Sequence, residues 1–315
     1  MGMRVSPADL ARWAFWVPFR DVLDAEKPRQ LQRLYPLWRL QHVAARGQRG
    51  MMIDEYARCF PGVDPDELVR EAYRVAFRVH FEELLLGKLD EQSWRNYMRI
   101  EGVENLEKAL NHGKGAVIAY PHAGNVMMMI AALSYSGYRY TQYAARGLAP
   151  KDVAEANPEV FGHNRLREQV RETREANEDR LPASFLTLNE PVRELLRRLG
   201  RNELVGIAFD GRIGKKWREY DWLGRRALLN PGAFRIAAKT GAALMPVFNY
   251  CPKGDVNVCS IGEPIWGDTP NEIAQQFLEV SGEMLRKQPG AYGIWLTHCR
   301  ARKHVDDHPF FVDYP

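Results

Sequence analysis

No stretch of this 315-residue chain approaches the roughly 18 uninterrupted apolar residues that a membrane-crossing helix needs. No apolar core of signal-peptide length follows Met1 either. The expectation is therefore a soluble or peripheral protein of the cytoplasm, with attachment at the inner face of the membrane left open. Cysteine is scarce. Cys59, Cys251, Cys259 and Cys299 form no CxxC pair and no metal-ligand spacing with histidine, which points to reduced thiols and to no metal centre. Cys251 and Cys259 fall on segments that read as neighbouring strands, so one disulfide stays open. An excess of one charge is missing as well: 44 Lys and Arg stand against 40 Asp and Glu, for a net charge of +4. That balance gives no support for nucleic acid as a partner, but it suits an anionic membrane surface or a phosphorylated substrate. Internal repeats and low-complexity tracts are absent.

The standard catalytic signatures are missing too. There is no GxGxxG after a strand, no GxxxxGK[ST] phosphate loop, no GxSxG nucleophile elbow and no HExxH. Dinucleotide enzymes, P-loop enzymes, serine hydrolases and zinc peptidases of those types lose their sequence support. What is present is an ordinary globular composition, 45% hydrophobic and 27% charged, long enough for a large domain or a core with a smaller subdomain.

Residues 1–110 carry helical periodicity and little strand signal, and residues 1–100 read as a helical N-terminal layer or cap. Trp13, Phe15, Trp16 and Phe19, flanked by Arg12 and Arg20, suit either a membrane-interface anchor or a helix packed on the core. From Pro65 to Leu89 the residues Leu68, Ala72, Val75, Ala76, Val79 and Leu84 recur at helical spacing behind Asp64 as cap, so a helix is expected over that range. Residues 101–315 alternate strands with helices. Strands are expected at Ala116–Tyr120, Tyr138–Ala145, Phe185–Leu188, Leu204–Phe209, Ala243–Tyr250 and Asp255–Ile261. Helices are expected at Glu104–Asn111, Asn125–Tyr135, Pro191–Leu199, Asn230–Thr240 and Thr269–Lys287, with one or two polar helices between Pro150 and Arg180 and a basic loop from Arg212 to Leu229. The order argues for an α/β fold, a mixed, mostly parallel sheet flanked by helices with the helical layer added at the N-terminus.

Open α/β sheets present reactive side chains at the carboxyl ends of strands, and that rule selects His122 and Asp210. A histidine without an adjacent nucleophile suits general-base work, drawing a proton from a hydroxyl or amine that then attacks an acyl carbonyl. The bland alternatives are a satisfied loop histidine for His122 and a turn residue before Gly211 for Asp210.

Four ordered blocks carry a resemblance. They are Gly115–Met129 around His122; Val205-Gly206-Ile207-Ala208-Phe209-Asp210-Gly211-Arg212; Trp222-Leu223-Gly224 with the run from Leu229 through Pro231-Gly232 to Pro246-Val247-Phe248; and Gln288-Pro289-Gly290-Ala291-Tyr292-Gly293-Ile294-Trp295. Together they resemble the lysophospholipid acyltransferase superfamily, in its bacterial branch of lipid A late acyltransferases and related mannoside acyltransferases. The resemblance implies acyl transfer from a coenzyme A or carrier-protein thioester, a substrate rather than a cofactor, to a hydroxyl or amine, with no metal and with His122 as the base. The family places an Asp or Glu after four intervening residues to orient the histidine, and here that position is Met127, which cannot serve. Asp210 becomes the preferred partner, being on the same rim of the sheet, with Asn125 as the alternative partner, although Asn125 reads first as a helix cap. Arg212, Lys215 and Lys216 are candidates for donor or acceptor phosphates. Asn230 and Gly232 read first as a helix start and second as an anion site. Met127 and its neighbours are candidates for an acyl-chain groove. The acceptor is expected to be a lipid or a small polar molecule. Two other readings stand beside this one, a binding protein that kept the fold and lost the chemistry, and an acyltransferase of specialised metabolism.

Overall fold

A computed structural model describes residues 5–144, 164–187, 190–214, 216–304 and 308–315. Nine strands are described: β1 (Met98–Glu101), β2 (Ala116–Tyr120), β3 (Tyr140–Ala144), β4 (Ser184–Thr187), β5 (Leu204–Ala208), β6 (Arg218–Trp222), β7 (Arg225–Leu229), β8 (Ala243–Tyr250) and β9 (Asn257–Ile261). Seven of them form one sheet in the order β1-β9-β8-β2-β5-β3-β4. Strands β2, β3, β4, β5 and β8 run parallel, whereas β9 is antiparallel to β8 and parallel to β1. This is the mixed, mostly parallel sheet that the strand–helix alternation implied.

The apolar run Ala116-Val117-Ile118-Ala119-Tyr120 becomes a central strand because both of its faces are covered, as helix-flanked parallel sheets require. Strand alternation then sends its side chains to different cores. Val117 and Ala119 join one cluster with helices Arg193–Gly200, Gly232–Thr240 and Pro270–Lys287. Ala116, Ile118 and Tyr120 join the other, with helix Val126–Tyr135 and the N-terminal residues Trp16, Leu31 and Leu84.

The N-terminal layer is helical as expected, and its longest helix, Pro65–Glu83, begins where the Asp64 side chain accepts from Asp66 N at 2.9 Å. The aromatic stretch from Trp13 to Phe19 packs inward. Trp16 is only 6% exposed, and Phe15 and Phe19 meet Phe81 edge-on with ring centroids 5.1 and 6.0 Å away. Among the described residues no helix is long and apolar enough to cross a membrane.

Two sequence expectations are corrected. The end of the basic loop expected from Arg212 to Leu229 is an antiparallel hairpin of β6 and β7, whose Arg- and Glu-rich strands hide their pairing from any hydrophobic pattern. Strand β1, a short edge strand with Arg99 and Glu101, lies inside the stretch read as having little strand signal. The reading of reduced thiols holds: all four cysteines are free and buried, and Cys251 lies beyond the end of β8. Burial pushes the thiols of Cys59, Cys251 and Cys259 up to about 12, which leaves them protonated and poor nucleophiles. Of the polar stretch from Pro150 to Arg180, residues 150–163 lie outside the described residues, and the remainder holds helix Arg165–Glu178.

Candidate active site

Strands β2 and β5 are parallel neighbours, and their register pairs Tyr120 with Ala208. His122 and Asp210 each lie two residues beyond that pair, so the register alone brings two residues 88 apart in sequence to the same rim of the sheet. The side chains meet there. His122 Nδ1 is 2.7 Å from Asp210 Oδ1, and the His122 backbone N donates to Oδ2 at 2.9 Å. Tyr292 donates its hydroxyl to the same Oδ2 at 2.7 Å. A carboxylate only accepts, so the ring hydrogen sits on Nδ1 and the neutral imidazole keeps Nε2 as its acceptor.

Burial divides the pair. The Asp210 side chain is completely enclosed, whereas the His122 side chain is 36% exposed. Trp295 lies flat on the imidazole, with centroids 3.8 Å apart and planes at 15°. Burial first, and then the charge of Asp210, push the Tyr292 phenol well above its ordinary range, so it remains a donor. The loop between His122 and the next helix turns at Gly124, where φ is +59° and a Cβ would come within 2.4 Å of the Asn249 carbonyl oxygen. Only glycine fits that turn beside the end of β8.

The profile of bacterial lipid A biosynthesis acyltransferases matches residues 54–299, a span that holds His122, Asp210, Tyr292 and Trp295. The chain belongs to that family. It is similar to a phosphatidylinositol mannoside acyltransferase of Mycolicibacterium smegmatis, 27% identical over 189 residues that cover 59% of this chain and 57% of that protein. It is also similar to a protein of the same description from Mycobacterium tuberculosis, 30% identical over 151 residues, or 47% of this chain and 42% of that protein. The matched segments thus span less than two thirds of the curated relatives' own length.

Asp210, from another strand end, occupies the hydrogen-bonding position at His122 Nδ1. Asn125 stands elsewhere. Its Oδ1 accepts from Met128 N at 3.0 Å, capping helix Val126–Tyr135, and its Nδ2 donates to Glu82 Oε2 at 2.9 Å. Glu82 is a fully buried hub that also receives Asn257 Nδ2 at 2.6 Å, Arg78 Nε at 2.7 Å and the Tyr35 hydroxyl at 3.0 Å. It links the N-terminal layer to the cap of the helix that follows His122. Removing one member of a buried ion pair strands the other, at about 3–5 kcal/mol. Glu82→Ala is therefore expected to lower unfolding free energy by about that much, read from denaturant melts, with Glu82→Gln costing less.

The remaining candidates are dispersed. Arg212 donates Nη1 to the Leu228 carbonyl at 2.8 Å and Nη2 to the His308 carbonyl, and its guanidinium lies 4.4 Å from the Trp217 ring centroid. It thereby ties the strand-end loop to the hairpin and to the C-terminal tail. Lys216 is exposed, and Lys215 lies outside the described residues. Asn230 Oδ1 accepts from Gly232 N at 2.9 Å, closing the turn that opens helix Gly232–Thr240. Met127 is half-buried against the second core and lines a small crevice with Trp16, Leu86 and Arg174. Among the described residues no group of three or more His, Cys, Asp or Glu is placed to hold a metal. Sequence reasoning gave Tyr292 and Trp295 no role, although both stand in the last of the four family blocks. Their placement was the only signal available.

Proposed function

We propose that the chain is an acyltransferase that moves an acyl group from a coenzyme A or carrier-protein thioester to a hydroxyl or amine, with His122 as general base. The observation that carries the reading is the His122–Asp210 pair, with Nδ1 held at 2.7 Å and the ring reaching solvent. Nε2 draws the proton from the acceptor, and the acceptor oxygen or nitrogen attacks the thioester carbonyl. The tetrahedral intermediate collapses, the carbon–sulfur bond breaks, and the leaving thiolate takes the proton back from Nε2. Asp210 orients the ring and stabilises the imidazolium that forms between these steps. Family membership and the described relatives favour a lipid acceptor over a small polar one.

Free thiol release tests the reading. Palmitoyl-coenzyme A or a palmitoylated carrier protein is mixed with the purified chain and a mannosylated phosphoinositide, and product is followed by mass. Acceptor-dependent thiol release is expected with at least one of these donors. Donor binding without thiol release from either one would favour the binding-protein alternative and overturn this reading. All four cysteines are buried, so the thiol signal comes from the donor.

We further propose that the N-terminal layer rests on an anionic bilayer at the inner face of the membrane. With the Trp13–Phe19 stretch packed inward, Leu37, Leu40 and Val43, three apart, are among the large apolar residues of this layer left outside, at 44%, 68% and 56% exposure. The sequence around them, residues 27–53, contains no Asp or Glu and includes Lys27, Arg29, Arg33, Arg39, Arg46 and Arg49. Lys27 pairs with Asp24 at 2.8 Å, and an apolar stripe within this arginine-rich, acid-free stretch suits acidic headgroups. A leucine side chain taken out of water is worth about 1.5–3 kcal/mol, so Leu40→Asp is expected to weaken binding to phosphatidylglycerol-rich vesicles at least about tenfold in co-sedimentation.

A further inference from the structure

The C-terminal segment reaches the His122–Asp210 pair at two successive positions of one helical turn. Tyr292 sits between the short turn Pro289–Ala291 and helix Gly293–Ala301, and its hydroxyl is bonded to Asp210 Oδ2 at 2.7 Å. Three residues later Trp295 covers the imidazole face at 3.8 Å. Between them and the His122 loop there is a main-chain tie as well, from Gly124 N to the Ala291 carbonyl at 3.1 Å. We propose that Tyr292 and Trp295 are the positioning residues of the base, Tyr292 fixing the carboxylate and Trp295 fixing the plane of the imidazole. The proposal rests on the general-base reading given above.

The terminal torsions of Asp and His are broad, so neither side chain sets its own orientation. Asp210 needs two donors on Oδ2 to leave Oδ1 aimed at Nδ1, and it has them in the His122 backbone N at 2.9 Å and Tyr292 at 2.7 Å. The imidazole is held at one atom by Asp210, and a single hydrogen bond allows rotation about its own line. The indole removes that freedom, because it lies parallel to the ring at 15°. It also offers an electron-rich face to the imidazolium formed when Nε2 takes its proton. Tyr292 is completely buried and out of reach of any substrate, so its action passes through Asp210.

The segment is seated for this purpose from its far side. Tyr56, itself completely buried, donates to the carbonyls of Pro289 and Gly290 at 3.2 and 3.3 Å. At Gly293 a Cβ would fall 2.1 Å from the Tyr56 hydroxyl oxygen, so the tyrosine and the missing side chain together set where Tyr292 and Trp295 begin.

The test compares Tyr292→Phe, Trp295→Ala and Trp295→Phe with the parent chain in two measurements, steady-state transfer and the nitrogen-15 spectrum of the His122 imidazole. Tyr292→Phe and Trp295→Ala are expected to lower kcat about tenfold with KM for the donor within about twofold, and Trp295→Phe is expected to recover most of the loss because a ring face remains. The parent imidazole is expected as the Nδ1-protonated tautomer, giving way to a mixture in Tyr292→Phe. Unchanged kcat together with an unchanged tautomer in Tyr292→Phe would overturn the role of Tyr292, and equal loss in both Trp295 variants would overturn that of Trp295. If the parent chain shows no transfer at all, the general-base reading falls by itself, and the imidazole spectra of the same variants decide the positioning.

Discussion

Substituting His122 by Ala is expected to remove acyl transfer, with a loss of about a thousandfold or more that leaves only background thioester hydrolysis. General-base catalysis supplies about 10²–10⁴ in rate, and among the described residues no second base is hydrogen-bonded to Asp210. The fold is expected to survive. Asp210 would still receive the backbone N–H of residue 122 and the Tyr292 hydroxyl, so the buried carboxylate keeps two of its donors, and the ring lost is a partly exposed one. The check is turnover with the preferred donor beside a thermal melt. Retained turnover in a folded His122→Ala protein would remove the histidine from the mechanism.

Asp210→Asn is expected to be nearly as damaging, about 10³-fold in kcat with little change in KM, for a reason specific to this arrangement. Oδ2 of Asp210 accepts from two donors, the backbone N of His122 and the Tyr292 hydroxyl. In an asparagine the carbonyl oxygen must take that place, which turns the NH2 group toward Nδ1. Nδ1 must then accept, and the ring hydrogen moves to Nε2, the atom that has to receive the acceptor's proton. The substitution preserves shape and installs the wrong tautomer. Kinetics with imidazole nitrogen-15 shifts on the same sample checks both halves. Near-parental kcat with the tautomer unchanged would show that Asp210 is not the orienting group.

How much of this was legible in the chain depends on distance along it. The strand ends were readable because Ala116–Tyr120 and Leu204–Phe209 are short apolar runs that end just ahead of His122 and Asp210, and the rule about carboxyl ends chose those two residues from that pattern. Their adjacency rests on β2 and β5 being neighbours in register, which no local pattern specifies, because β3 and β4 intervene in sequence. Asn125 was legible in its cap role, since a side-chain oxygen just ahead of a helix is a local signal. Tyr292 and Trp295 were not. An aromatic residue near a helix start has many uses, and only the three-dimensional placement shows which one it meets. Arg212 illustrates the converse: its charge and its place after a strand suggested phosphate, whereas its guanidinium reaches two carbonyls of its own chain.

The spacing of the site along the chain has a consequence for biosynthesis. His122 and Asp210 leave the ribosome with β2 and β5, but Tyr292 and Trp295 follow some eighty residues later than Asp210. With the roles proposed for these residues, a nascent chain that has made only the sheet through β5 would hold the base without its clamp. On those proposed roles competence would arrive with the segment after helix Pro270–Lys287, so an incompletely translated chain is expected to transfer acyl groups poorly, and a nick between the sheet and that segment is expected to lower transfer while leaving both strand ends in place.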